Sequence, residues 1–122
     1  MGRALSNLKV LPEYNTAYIT LSQEELISFN FEKGDTEGFV NYALSLERII
    51  FAAIFIEDQK QKIIKISLRS KGAFSVNAFS RINFEGGGHT NAAGGRSELS
   101  LNETVEKFIS ILPRYKTALN NE

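Results

Sequence analysis

The run Ile49–Ile56 constrains this chain more than any other segment: Ile-Ile-Phe-Ala-Ala-Ile-Phe-Ile carries no polar side chain and stops at Glu57-Asp58. Successive residues of a strand face opposite sides of its sheet, so a half-exposed strand alternates apolar and polar. A run without alternation reads as a strand buried on both faces, with helices packed over the sheet. The next segment supports this. Gln59-Lys60-Gln61 is a hairpin connection, and Lys62–Ser70 alternates. Ile64, Ile66 and Leu68 form one face, and Lys65, Ser67 and Arg69 share the other with Ile63.

The remaining elements follow from period and caps. Thr16–Leu21 alternates as a strand, with Ala17, Ile19 and Leu21 on one side. Ser22 and Glu25 have capping-box spacing, so a short helix starts there with Leu26, Ile27 and Phe31 inward. Lys33-Gly34-Asp35 is a turn, Asp35 or Thr36 reads as a helix cap, and Gly38–Ser45 reads as helix. Val76, Phe79 and Ile82 outline a short amphipathic helix. A last strand lies within Ala93–Leu99. Ser100 and Glu103 open a second capping box, with Val105, Phe108, Ile109 and Leu112 on one helical face. Pro113 stops or kinks that helix, and a final turn runs through Tyr115 and Leu119. The expected fold is a single small α/β domain with a mixed sheet of about four or five strands flanked by helices. Residues 1–14 are an arm or linker, 15–119 the domain and 120–122 a tail.

Several chemistries are excluded by residue supply. The chain has no cysteine, one histidine (His89) and two aspartates (Asp35 and Asp58). Thiolate metal sites and disulfides are therefore absent, and a self-contained dinuclear metal centre lacks ligands. The Gly-x-Ser-x-Gly, Walker and Gly-x-Gly-x-x-Gly patterns do not occur. No catalytic residue and no metal site is assigned. The formal net charge is +0, so nonspecific nucleic-acid binding driven by counterion release is not expected. No apolar stretch reaches the ~20 residues of a membrane span, and no signal-peptide pattern occurs, so a cytoplasmic protein with no membrane partner is expected.

Local anion binding fits the remaining residues best. Gly86-Gly87-Gly88 stands directly before His89. Backbone without Cβ approaches a ligand closely, and successive N–H groups in such a loop can converge on an anion. Arg69-Ser70-Lys71 leaves the end of an expected strand, where open α/β sheets place ligands. Arginine offers a planar fork for phosphate oxygens, lysine a point charge and serine a hydroxyl. The expected phosphate-binding set is Arg69, Ser70, Lys71, Gly86, Gly87, Gly88 and His89. Arg96 reads as a surface residue.

Three segments in order carry a family resemblance: Asp35-Thr36-Glu37-Gly38-Phe39-Val40-Asn41, Ile66-Ser67-Leu68-Arg69-Ser70-Lys71, and Val76-Asn77 through Gly86-Gly87-Gly88-His89-x-x-Ala92-Ala93-Gly94. Together they resemble the DHH-associated domain of DHH-family phosphoesterases over about residues 15–118. The likeness is greatest to the bifunctional oligoribonucleases and phosphoadenosine-phosphate phosphatases (nanoRNases). Glu85 departs from the pattern, since many relatives have another glycine there. Asn41 matches the pattern without an assigned role.

The resemblance implies a division of labour. In the family an N-terminal domain holds two manganese ions, and the associated domain holds the nucleotide. This chain then reads as the C-terminal half of a larger phosphoesterase, needing no cofactor itself and inactive alone. Its partners would be short RNA or 3′-phosphoadenosine 5′-phosphate, together with the missing DHH domain; an oligomer is compatible. The alternatives are a noncatalytic RNA-binding module related to the C-terminal domain of alanyl-tRNA synthetase, and a structural dimerisation or clamping domain.

Overall fold

A computed structural model describes residues 5–32 and 34–121. Six strands form one mixed sheet: β1 (Lys9–Leu11), β2 (Thr16–Leu21), β3 (Phe51–Asp58), β4 (Ile63–Ser70), β5 (Gly87–Gly88) and β6 (Ala92–Ser97), in the spatial order β1-β2-β3-β4-β6-β5. Only β2 and β3 run parallel; the other neighbours are antiparallel. Among the described residues, α1 (Gln23–Ser28), α2 (Asp35–Ser45) and α3 (Val76–Asn83) lie between strands, and α4 (Leu101–Ile111) and α5 (Lys116–Asn120) follow β6. Parallel strands need a crossover, and α1 and α2 supply it between β2 and β3.

The uninterrupted apolar run becomes the sheet's central strand. Phe51, Ala52, Ala53, Ile54 and Phe55 are all fully buried. Its residues divide between two cores. Phe51, Ala53 and Phe55 join Ile64, Ile66 and Leu68 of β4 against α3 and α4. Ala52 and Ile54 join Ala17, Ile19 and Leu21 of β2 against Phe39, Val40 and Ala43 of α2. The first core is aromatic, with ring centroids of Phe51 and Phe79 at 4.9 Å and of Phe55 and Phe108 at 5.0 Å. Such edge-on contacts add to area burial.

Both capping boxes form. Ser22 Oγ accepts from the Glu25 N–H at 3.1 Å, and Glu25 Oε1 accepts from the Ser22 N–H at 3.0 Å. Ser100 and Glu103 exchange the same pair of bonds, both at 3.1 Å. Pro113 falls in a 3-10 turn, Leu112–Tyr115, that ends α4 as its missing N–H requires.

Other expectations are corrected. The sheet has six strands because Lys9–Leu11, within the expected arm, pairs with β2, and because the glycine run supplies the two-residue β5. Ile27 and Ile82 point outward, 74% and 72% exposed. Along α3 the inward positions are Val76, Phe79 and Ser80. A polar residue at one of them hid the true face from hydrophobic periodicity. Asp35 lies in the first turn of α2 rather than capping it, and accepts from the Glu32 N–H at 2.9 Å; Gly34 is the cap residue. Lys33 of the expected turn lies outside the described residues.

Candidate functional site

The site is built where β4 ends beside the β5–β6 hairpin. Arg69 stands in register with Ala92 of β6. The Ala92 carbonyl in turn accepts from the His89 N–H at 2.7 Å, closing the hairpin around Thr90 and Asn91. Neighbouring strands are about 4.8 Å apart, so the backbones of Arg69, Ala92 and His89 span about 10 Å of sheet. The sequence separates Arg69 and His89 by a helix and a loop; the sheet makes them next-but-one neighbours. Arg69 is half-buried, with Nη1 donating to the Leu68 carbonyl at 2.9 Å. Lys71 and His89 are exposed. Among the described residues none of these three has a carboxylate partner.

Two of the expected contributions take a different form. Ser70 is buried, and its hydroxyl is already used: it donates to the Phe74 carbonyl at 2.6 Å and accepts from Asn91 Nδ2 at 3.0 Å. It fastens the chain leaving β4 to the hairpin tip instead of presenting a hydroxyl. Asn91 completes this lock by donating to the Gly72 carbonyl at 3.1 Å. The glycine loop is likewise not an open nest of amides. The Gly86 N–H donates to the Ser80 carbonyl at 3.3 Å, and the Gly88 N–H to Asn77 Oδ1 at 2.9 Å. With the His89 N–H also committed, the loop is held by internal bonds.

Glycine at 86 is needed for close approach. A Cβ there would collide with the Gly94 carbonyl and come within 2.6 Å of Gly95 Cα. Ser80 Oγ, which donates to the Gly94 carbonyl at 2.6 Å, stitches α3 to β6 at the same point. Glu85, the departure from the glycine pattern, has φ 51°, a left-handed conformation that glycine adopts without penalty. Its side chain is exposed.

Sequence reasoning missed Asn77, Arg81 and Asn91 as builders of this corner. Asn77 and Arg81 lie four apart on α3 immediately before the glycine run, a helical spacing that puts both on one side. Asn41 is exposed on α2, and Arg96 is exposed with Glu98 at 3.9 Å. Among the described residues no three His, Asp or Glu side chains gather as a metal site, and no helix is long and apolar enough to cross a membrane. The residues here do not fit a two-manganese centre.

A larger hollow of about 710 Å³ lies at the opposite end of β3 and β4, lined by Leu26, Ile27, Phe31, Ile56, Asp58 and Lys65 among others. Of its two lysines, Lys65 is ion-paired, with Nζ 3.1 Å from Asp58 Oδ2, and Lys60 has no ion pair among the described residues. The Asp58 carboxyl is held below its ordinary range by the Gln61 N–H it accepts, then by Lys65.

Comparison with known proteins identifies the family and the fold. The DHHA1 domain family matches residues 14–116. A crystal structure of an exopolyphosphatase-related protein from Bacteroides fragilis superposes with TM-score 0.90 at 44% identity, covering 98% of this chain and 34% of that one. A pGpG-specific phosphodiesterase, PggH, from Vibrio cholerae superposes with TM-score 0.61 at 16% identity, covering 98% and 37%. An uncharacterised protein from Helicobacter pylori G27 gives 0.53 at 19%, covering 91% and 29%. The last two likenesses are of fold alone. The chain thus spans about a third of the length of these structures. No curated protein matches the sequence.

Proposed function

The chain belongs to the DHHA1 domain family of the DHH phosphoesterases, and from that premise we propose that it is the substrate-holding part of such an enzyme. In this reading Arg69, Lys71 and His89 grip a phosphate of a short oligoribonucleotide or of 3′-phosphoadenosine 5′-phosphate. Ser70 and the three glycines fix the geometry of that grip. Hydrolysis belongs to a DHH domain outside this chain, where two manganese ions would activate water and stabilise charge at phosphorus. This domain contributes positioning, which converts a loose encounter into a held one.

One observation carries the reading. Arg69 and His89 flank Ala92 at a corner locked by hydrogen bonds, with no carboxylate partner among the described residues. A guanidinium held without a carboxylate partner is available to an incoming anion, and an imidazole can donate a hydrogen bond beside it. A guanidinium–phosphate fork is worth about 1.5–3 kcal/mol.

The test is a titration of the 122-residue chain with short RNA and with 3′-phosphoadenosine 5′-phosphate, followed by backbone NMR. Shifts gathered at residues 69–71 and 86–89 are expected, with Arg69→Ala weakening binding about tenfold or more. Absence of shifts at millimolar ligand would count against the reading. Preference for long RNA with a steep salt slope would favour a noncatalytic RNA-binding module instead.

A further inference from the structure

Two glycines of this corner differ in what the fold asks of them. Gly86 has no room for a Cβ. Gly94 lies within β6, and beyond its chain neighbours a Cβ there would meet only the Ile66 carbonyl oxygen, at an ordinary 3.5 Å. Its φ is not positive either. Neither packing nor backbone conformation accounts for glycine at 94. Glycine inside a strand weakens it and often marks a place where a ligand comes close to the backbone.

The register shows what surrounds Gly94. Residues opposite each other in a sheet, and residues two apart along a strand, share a face. Ile66, Leu68 and Ala93 face the aromatic core, so Ser67, Gly94 and Gly87, which stand in register, face the other way. Arg69, Ala92 and His89 form the next row of that same face, about 6.6 Å along the strands. The second core covers β2 and β3 on this side and takes in no residue of β4, β5 or β6 among the described residues. The row Ser67–Gly94–Gly87 is therefore an open floor beside the cations, with no side chain larger than that of serine. At its β5 edge stand Asn77 Oδ1 and Arg81 Nε, 3.0 and 3.2 Å from the place of a Gly87 Cβ. A protein partner would find no apolar side chain here to build an interface core on. A flat ring would find bare peptide planes. We infer that this floor is a nucleobase subsite: the base of the nucleotide whose phosphate Arg69 and His89 hold lies flat over Gly94, between Ser67 and Gly87. One row spacing is within the reach of a single nucleotide from phosphate to base. This rests on the phosphate-gripping reading above.

The probes are 5′-AMP and ribose 5-phosphate, which share phosphate and sugar and differ in the base, titrated into the 122-residue chain and followed by NMR. The native chain is expected to bind 5′-AMP about fivefold more tightly, the low end for base stacking. The Gly87 and Gly94 Hα resonances should move upfield under the adenine ring current, and should not do so with ribose 5-phosphate. Gly94→Ala is expected to hold or raise the melting temperature and to bring the affinity ratio to about one, with ribose 5-phosphate binding unchanged. Gly94→Val, with a larger side chain over the floor, should do the same to the ratio. A steep fall in melting temperature for Gly94→Ala would show that the fold itself needs this glycine, and would overturn the inference. A ratio of about one in the native chain, or a ratio that survives both substitutions, refutes the base subsite; if Arg69→Ala still weakens both ligands, the phosphate grip stands. If the native chain binds neither ligand at millimolar concentration, or Arg69→Ala changes neither affinity, the phosphate reading falls and the subsite with it.

Discussion

Lys65 and Arg69 stand on the same face of the same strand, four residues apart, and their surroundings are opposite in kind. Lys65 is paired with Asp58 at 3.1 Å and lines a hollow of about 710 Å³. Arg69 has no carboxylate partner among the described residues, and its corner is a surface stitched together by hydrogen bonds from Ser70, Asn77, Ser80 and Asn91. The two cations of one strand face thus differ in what surrounds them: Lys65 is ion-paired beside a hollow, whereas Arg69 lies in a hydrogen-bonded corner without a carboxylate partner among the described residues.

The contrast can be broken most forcefully through the glycines. Gly86→Ala drives a Cβ into backbone on β6, so a loss of about 3 kcal/mol or more is expected in denaturant unfolding. Gly34, near the hollow, has φ −72° and nothing within 4 Å of its Cβ position. Gly34→Ala should therefore stabilise by about 0.4–1 kcal/mol. Equal effects at the two positions would show that the corner is not tightly locked. Ser70→Ala removes a buried donor and acceptor and leaves Phe74 and Asn91 groups without a partner. About 1–3 kcal/mol should be lost, with phosphate affinity falling only as far as the loop loosens.

A gain is expected at Glu85. Its left-handed backbone costs about 1–2 kcal/mol for a residue with a Cβ, part of which glycine returns to the unfolded chain as entropy. Glu85→Gly should raise stability by about 0.5–1 kcal/mol in thermal unfolding while leaving the corner's hydrogen bonds intact. The smallest effect belongs to the hairpin end. Asp58 has a lowered folded pKa, so its contribution is present above the ordinary aspartate value and is lost as pH falls below about 4. Asp58→Asn should flatten the acid side of the stability profile by slightly lowering stability near neutrality, where the charged carboxylate contributes, and leave it unchanged at pH below the folded pKa. An unchanged acid limb would mean that the Lys65 pair is not formed in solution.

Much of this molecule could be read along the chain. Ile49–Ile56 announced a central strand because no solvent-facing strand tolerates such a run, and both capping boxes formed as their spacing required. The Gly-Gly-Gly-His segment and the strand-end Arg69 could be picked out in advance as chemically special. What misled was polarity used structurally. Ser80 and Ser70 are buried polar residues with internal partners, so pattern reading turned α3 toward Ile82 and gave Ser70 a ligand role. Such residues pass as surface residues until their partners are known, and the partners of Ser80 and Ser70 lie up to 21 positions away.

The sequence by itself therefore determined local and one-dimensional facts: the longer strands and helices, and where the capped helices begin. Those follow from side-chain chemistry and periodicity within a few residues. Tertiary structure alone decided that Lys9–Leu11 joins the sheet, that the loop amides are turned inward, and that Arg69, His89 and Arg81 surround one hairpin. Those depend on strand order and register, because β4 pairs with β6 across an intervening helix and loop. No local pattern encodes which distant backbone will satisfy a given N–H.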